Sequence, residues 1–454
     1  MASRPFMNNF RIIKLPYELT SNSGLALIGQ FFKLMRVNQH VDPAFPVRDT
    51  AISVLNSDIL KSYLGLLVQG KTDFDAIEAY REERFFAEAL GIRNVPSSPT
   101  LRQRLDTHAA AWFPLLDSLN EFLLRNAKAV FRPLACGWVP LDFDVFPMNN
   151  SQTKKEGVSR IYNGVDGYAP LACYLGADGY CLELALRPGS SHSALETEHN
   201  LERVLPMAKR LTTAPLLVRA DSGFDSLKLL REIRQAHTEE RPVDFLVKWN
   251  PRRAGGDIAG RVAESPDTLW HVHREGKRET VWEEALSLEG VGAVWRIYRL
   301  TERTIDRHGQ NLLVPDWDLE GWTTTLPATL DKAAVIALYA DHATHEQFHA
   351  EFKTDMDLER LPSGKFDTNY LVCGLAAIAL NMLRLMGQNT LLGPKSPVRH
   401  GAQRRRVKTV MKELMFKAGR LVRHAGQWWL GLSRQDPAFE VFAEYYGELK
   451  AQAG

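Results

Sequence analysis

Between residues 134 and 249 the apolar pattern switches repeatedly between strand-like and helical periods, and this order limits the fold more than any other feature. GWVPLDFDVF reads as a strand, and GVDGYAPLACYLG and YCLELALRPG follow with strand composition and glycine turns. ALETEHNLERVLPMAKRL reads as a helix and APLLVRADSGF as a buried strand ending in a glycine turn. SLKLLREIRQAH is a second helix and DFLVKWN another strand. Hairpin strands followed by helix, strand, helix and strand predict a mixed α/β domain.

The flanks differ in character. Residues 1–130 read as helical: Asp49 or Thr50 could cap AISVLNSDILKSYLGLLVQ, Asp73 the helix DAIEAYREERFFAEAL, and the Ser97–Thr100 stretch a long amphipathic helix. Short helices and tight turns suit a DNA-binding or dimerisation region, or a plain helical bundle. Residues 250–326 are aromatic and β-like (TLWHVHREGKRETVWEE, VWRIYRLTER, LEGWTTTL) and read as an antiparallel insertion. Helices return over 327–390, with YADHATHEQFHAEFK and NYLVCGLAAIALNMLRLMG. Residues 391–454 read as a basic helical segment. From Lys395 to Arg423 the run carries Arg404, Arg405 and Arg406 among many cations, with Glu413 its only acid. That local excess is where a polyanion could bind.

Composition excludes several classes. At about 150 residues per domain, 454 residues suggest roughly three domains. A 45% hydrophobic, 24% charged chain is ordinary globular protein, so extensive disorder is excluded. The net charge of +2 names no partner by itself. Cys136, Cys173, Cys181 and Cys373 form no CxxC pair, which argues against a structural zinc site. The N-terminus lacks a signal-peptide core, and Leu371–Leu380 is shorter than the ~18 apolar residues a membrane helix needs. A cytoplasmic protein with no membrane partner is expected.

Four acids carry candidate chemistry. Asp142 and Asp144 alternate along LDFDVF, so both face one side of the strand. A carboxylate in a strand is costly to bury unless something compensates it, and a divalent cation is one compensator. Asp221 ends an apolar strand, where α/β sheets carry ligands. Glu346 shares a helical stripe with Tyr339, His342 and Lys353. Two aspartates on strands and a glutamate on a later helix form the ligand set that a two-magnesium phosphodiester site needs. Acids at strand ends also serve as turn caps or salt-bridge partners.

LDFDVFPMNNSQTKKEGVSRIYNGVDGYAPLACYLG, LLVRADSGFDS, and YADHATHEQFHAEFK with DLERLPSGKFDTNYL make three ordered blocks. Along nearly its whole length the chain resembles DDE-type transposases of bacterial insertion sequences, in the group that includes family thirteen-eighty. The resemblance implies a ribonuclease-H-like mixed sheet core (residues 131–249 and 327–390), interrupted by a β-rich insertion. It implies two aspartates and a glutamate that bind two Mg²⁺ ions, with Mn²⁺ able to substitute. Asp221 of RADSGF becomes the second acid. The family signature Tyr–two–Arg–three–Glu–six–Lys falls on Tyr339, His342, Glu346 and Lys353, with histidine where arginine is usual. Glu346 becomes the third acid and Glu351 its fallback. Register favours Asp144 as the first acid, with Asp142 the alternative.

The activity this implies is cleavage at terminal inverted repeats and transfer of the freed 3′-OH ends into target DNA, by a homodimer on double-stranded DNA. Lys353, Tyr339 and His342 would lie beside that DNA, Lys154, Lys155 and Arg160 would line its channel, and Arg404, Arg405 and Arg406 would bind it. Two other readings remain: a ribonuclease-H-like nuclease that does not join ends, and an inactive relative that only binds DNA.

Overall fold

The computed structural model describes residues 10–47, 53–193, 195 and 197–454. The expected caps Asp49 and Thr50 fall outside the described residues. The helix they were to start runs Asn56–Leu67. Asp73 precedes a 3-10 helix, Phe74–Tyr80, and a short helix follows at Arg84–Leu90.

The long helix Ser98–Asn126 begins at Ser97, whose side chain accepts from the Thr100 amide at 3.4 Å. Leu101, Leu105, Ala109, Trp112, Leu116, Leu119 and Leu123 form its buried stripe at helical spacing. That stripe packs on Phe366–Thr390, a helix buried nearly all round. By length and composition Phe366–Thr390 could cross a membrane, more than the sequence reading allowed, but it is a core helix here. Its polar residues are paired inside the protein. Asn381 accepts from the Cys181 amide at 2.8 Å and donates to Asn120, and Arg384 pairs with Glu351 at 2.7 Å.

A nine-stranded sheet carries the rest. Its order is His271–Arg274, Lys277–Leu288, Gly292–Ile305, Asn311–Thr324, Val243–Lys248, Leu216–Ala220, Val139–Val145, Leu171–Leu175, Tyr180–Ala185. Val139–Val145 runs parallel to Leu216–Ala220, which runs parallel to Val243–Lys248. The helices Thr197–Leu211 and Leu227–Gln235 supply the crossovers between them. The aromatic strands expected as an insertion form a meander continuous with this sheet. It joins Val243–Lys248 only over Trp322–Thr324, after a helix at Gly255–Glu264 that the aromatic pattern did not announce.

The C-terminal segment departs from the helical expectation. Only Val407–Met415 is helical inside the basic run, and Gly419–His424 and Gln427–Leu432 form a hairpin completed by Glu18–Thr20. Gly426, with φ of 78° beside Ala425 at 48°, makes the tight turn that a continuous helix could not contain.

Candidate active site

Strand register places the first two acids. Phe143 pairs with Ala220 across parallel strands, so Asp144 and Asp221 follow at the same level where the two strands end. Neighbouring strands lie about 4.8 Å apart, which makes these carboxylates neighbours although far apart in sequence. Asp221 turns the chain by accepting from the Gly223 amide at 2.8 Å. Asp144 accepts from the Val145 amide at 2.8 Å.

Glu346 comes from the short helix His345–Ala350. The expected single helical stripe is broken into Lys332–Ala340, a 3-10 turn, this helix, and a π-turn over Glu351–Asp355. The segment still delivers Glu346 and Lys353 to the place where the strands end. Asp144, Asp221, Glu346, His349, Lys353 and Arg160 line one open cavity of about 960 Å³.

Asp142 sits two residues away and has a different role. It is 2% exposed, and Arg219 grips its two oxygens at 2.6 and 2.7 Å. The His345 ring shares Oδ2 at 2.9 Å. Burial alone would raise this carboxyl, but Arg219 and His345 override it and hold it well below the usual carboxylate range. Arg219 also donates to the Leu338 carbonyl, so one buried network ties two strands, a helix end and the Glu346 helix together. Among the described residues Asp142, His342 and His345 bring possible ligand atoms within 4.8 Å of one another. The guanidinium already neutralises Asp142, and a cation placed there would face it at contact distance, so this cluster is an ion-pair network and not a metal centre.

Glu351, the fallback third acid, is enclosed likewise. It is fully buried, and Arg384, Arg404 and the Val407 amide bond it. Those cations outweigh its burial and lower its pKa.

Asp144 has no such partner. Burial, then the charge of Asp221, then Asp142 and Glu346, push it up to about 7 against the Val145 N–H. Burial also raises Asp221, with the Gly223 amide and Lys248 opposing. Carboxylates that repel across a cavity fit divalent cations: oxygen donors suit a hard ion, and its charge removes the repulsion.

The basic residues divide. Lys353 lines the cavity with Nζ 3.2 Å from Glu359, and Arg160 lines it beside Asp166 at 3.3 Å. Lys154 is exposed, whereas Lys155 turns inward to the Leu361 carbonyl. Tyr339 stacks on His342 with centroids 5.5 Å apart. His342 is buried outside the cavity lining, and burial followed by the charge of His345 lowers it to about 3. Arg404, Arg405 and Arg406 precede the helix that starts at Val407 rather than lying on one, and Arg406 alone of the three is exposed. Arg404 bonds Glu351, Arg405 is 8% exposed and bonds the carbonyls of Leu391, His400 and Val398, and Arg406 grips Asp355 at 2.7 and 2.8 Å. Carboxylates from the Glu351–Asp355 turn pair Arg404 and Arg406, and nearby backbone carbonyls hold Arg405.

Sequence reasoning passed over His349. It is 7% exposed, its ring stacks on Phe146 at 4.3 Å, and its Nε2 lies 3.8 Å from Asp144 Oδ2. Burial, then His345, His342 and Lys353, lower its pKa well below the usual range. The signal was available as the Glu346-x-x-His349 spacing, but only the fold pointed it at Asp144.

Fold and cavity together define a class: α/β proteins that gather carboxylates from three separate elements where the central strands of a mixed sheet end. The sequence narrows that class to a family. Residues 16–453 match the family described as transposase DDE domain group 1, and the chain belongs to it. A comparison with curated proteins gives no match. Among solved structures the chain is similar to a cryo-EM structure of a piggyBac transposase synaptic complex with hairpin DNA. Identity is 11%, coverage is 87% of this chain and 79% of that one, and the TM-score is 0.44.

Proposed function

We propose that this transposase cuts DNA at the terminal inverted repeats of its own element and joins the freed 3′-OH ends to target DNA, using Asp144, Asp221 and Glu346 as its metal-binding acids. One observation carries the reading: the three carboxylates converge on one cavity, where burial and then the charge of Asp221 raise Asp144 to about 7. The strand order around Val139–Val145, an antiparallel trio followed by two parallel strands, supports a ribonuclease-H-like core.

Two Mg²⁺ ions, or Mn²⁺ in their place, would supply Lewis acidity at the attacking and leaving oxygens. The protein's own part is positional. Asp144 and Asp221 fix the floor of the site from rigid strands, and the Asp142–Arg219–His345 network holds the Glu346 helix against them. Lys353 and Arg160 meet backbone phosphates as they approach, and exposed Lys154 extends that charge. Tyr339 and His342 brace this wall. A homodimer acting on paired ends, membership of family thirteen-eighty and a bacterial cytoplasmic setting complete the reading.

The DNA flanking the reading frame supplies the substrate. Asp221→Asn should lose Mg²⁺-dependent cleavage of that DNA while still binding it. A variant that still cuts overturns the acid assignment. Wild-type protein that cuts but never joins ends into a plasmid reduces the reading to a nuclease.

A further inference from the structure

Among the described residues two histidines line the acid cavity, exposed His192 and buried His349. The His349 Nε2 is buried without a hydrogen-bond partner, a state that costs about 1–3 kcal/mol unless something compensates it. Asp144 Oδ2 lies 3.8 Å away, too far for a hydrogen bond. A side-chain movement of under about 1 Å would bring the pair to adjacent positions on one ion. With bonds of about 2.1–2.2 Å, adjacent ligands stand about 3 Å apart and opposed ligands about 4.3 Å.

The surroundings fix the ring. Phe146 stacks on it with planes 21° apart, and Tyr174 stands at 5.9 Å. Glu346 and His349 are three residues apart on one short helix and so share a face, the i, i+3 arrangement by which a helix offers a carboxylate and an imidazole to one metal.

Resting on the acid-site reading above, we propose that His349 is a nitrogen ligand to the cation held by Asp144, and that it biases the site toward Mn²⁺ over Mg²⁺. Imidazole nitrogen suits first-row transition ions, whereas Mg²⁺ prefers oxygen throughout. His345 is the rival: its Nδ1 is also buried without a partner, 4.0 Å from the same Asp144 oxygen. Its Nε2 is held on Asp142 and its ring is not part of the cavity lining, which leaves the cavity to His349.

The test uses the full chain and Mn²⁺ alone as the probe, read by pulsed electron paramagnetic resonance for ¹⁴N coupling. Wild type should show coupling from one imidazole. His349→Gln should abolish the coupling and weaken Mn²⁺ binding about tenfold, with Mg²⁺, measured by competition, weakened much less. His345→Gln should keep the coupling.

Mn²⁺ bound to wild type without nitrogen coupling overturns the inference and leaves the carboxylate site standing. Coupling that survives in His349→Gln, or disappears only in His345→Gln, overturns it equally. Folded wild type that takes up no Mn²⁺ overturns both this inference and the acid-site reading. Should His349→Gln not fold, the wild-type spectrum and His349→Asn decide.

Discussion

The acid cavity and the basic C-terminal run are both dense in charge, and the fold treats them oppositely. In the cavity Asp144, Asp221 and Glu346 face one another, and Asp144 is driven up to about 7. In the run, Arg404, Arg405 and Arg406 each find an internal carboxylate or carbonyl. Local charge density marked the basic run in the sequence, whereas strand and helix positions marked the acids. The cavity gathers carboxylates against one another, whereas these three arginines are paired, and that contrast separates a candidate site from scaffolding.

The largest expected effect sharpens this contrast. Asp221→Asn should lower end cleavage by about three orders of magnitude or more, the scale on which dismantling an electrostatic site acts. Gel-shift binding to the same DNA should stay within about twofold. Equal loss of binding and cleavage would place Asp221 in the scaffold.

Glu351→Gln strikes the opposite region, leaving Arg384 and Arg404 buried against a neutral amide. Denaturant unfolding should show a loss of about 3–5 kcal/mol. A variant as stable as wild type would mean the run is held some other way. In the same vein, Arg404→Ala with Arg405→Ala should cost stability, about 2 kcal/mol or more, and leave the salt slope of DNA binding unchanged. A flattened slope would return these arginines to the DNA.

Asp144 offers a pH test. Its folded pKa, about 7, lies above the unfolded value near 3.9, so the folded state holds its proton more tightly. The associated stability is present below about pH 4 and lost as pH rises through 7. In metal-free protein Asp144→Asn should therefore gain on wild type across that window, reaching about 2 kcal/mol at pH 8 after allowance for its partial exposure. Added Mg²⁺ should restore wild type and leave the variant unmoved. Thermal melts at pH 4.5 and 8 measure both, and a constant difference between the two proteins would remove the repulsion argument.

The smallest effect concerns the cavity wall. Lys353→Gln should weaken DNA binding evenly across sequences and lower the salt slope by about one charge. An unchanged slope would confine Lys353 to its pair with Glu359.

The sequence by itself determined the local periods and the family. The strand carrying Asp142 and Asp144, the strand ending at Asp221 and the helix begun at Ser97 were legible because side-chain spacing and capping are properties of a few adjacent residues. The three motif blocks were legible because residue order survives without coordinates. Only the tertiary structure decided which of two aspartates on one strand face would be bound by an arginine and which would face the cavity. It decided likewise that Glu351 would be walled in, that the arginine run would fold back on its own acids and close with a hairpin, and that His349 would point at Asp144. The reason is common to all four: a charge or lone pair gains its meaning from the partner within about 4 Å, and here those partners come from other parts of the fold.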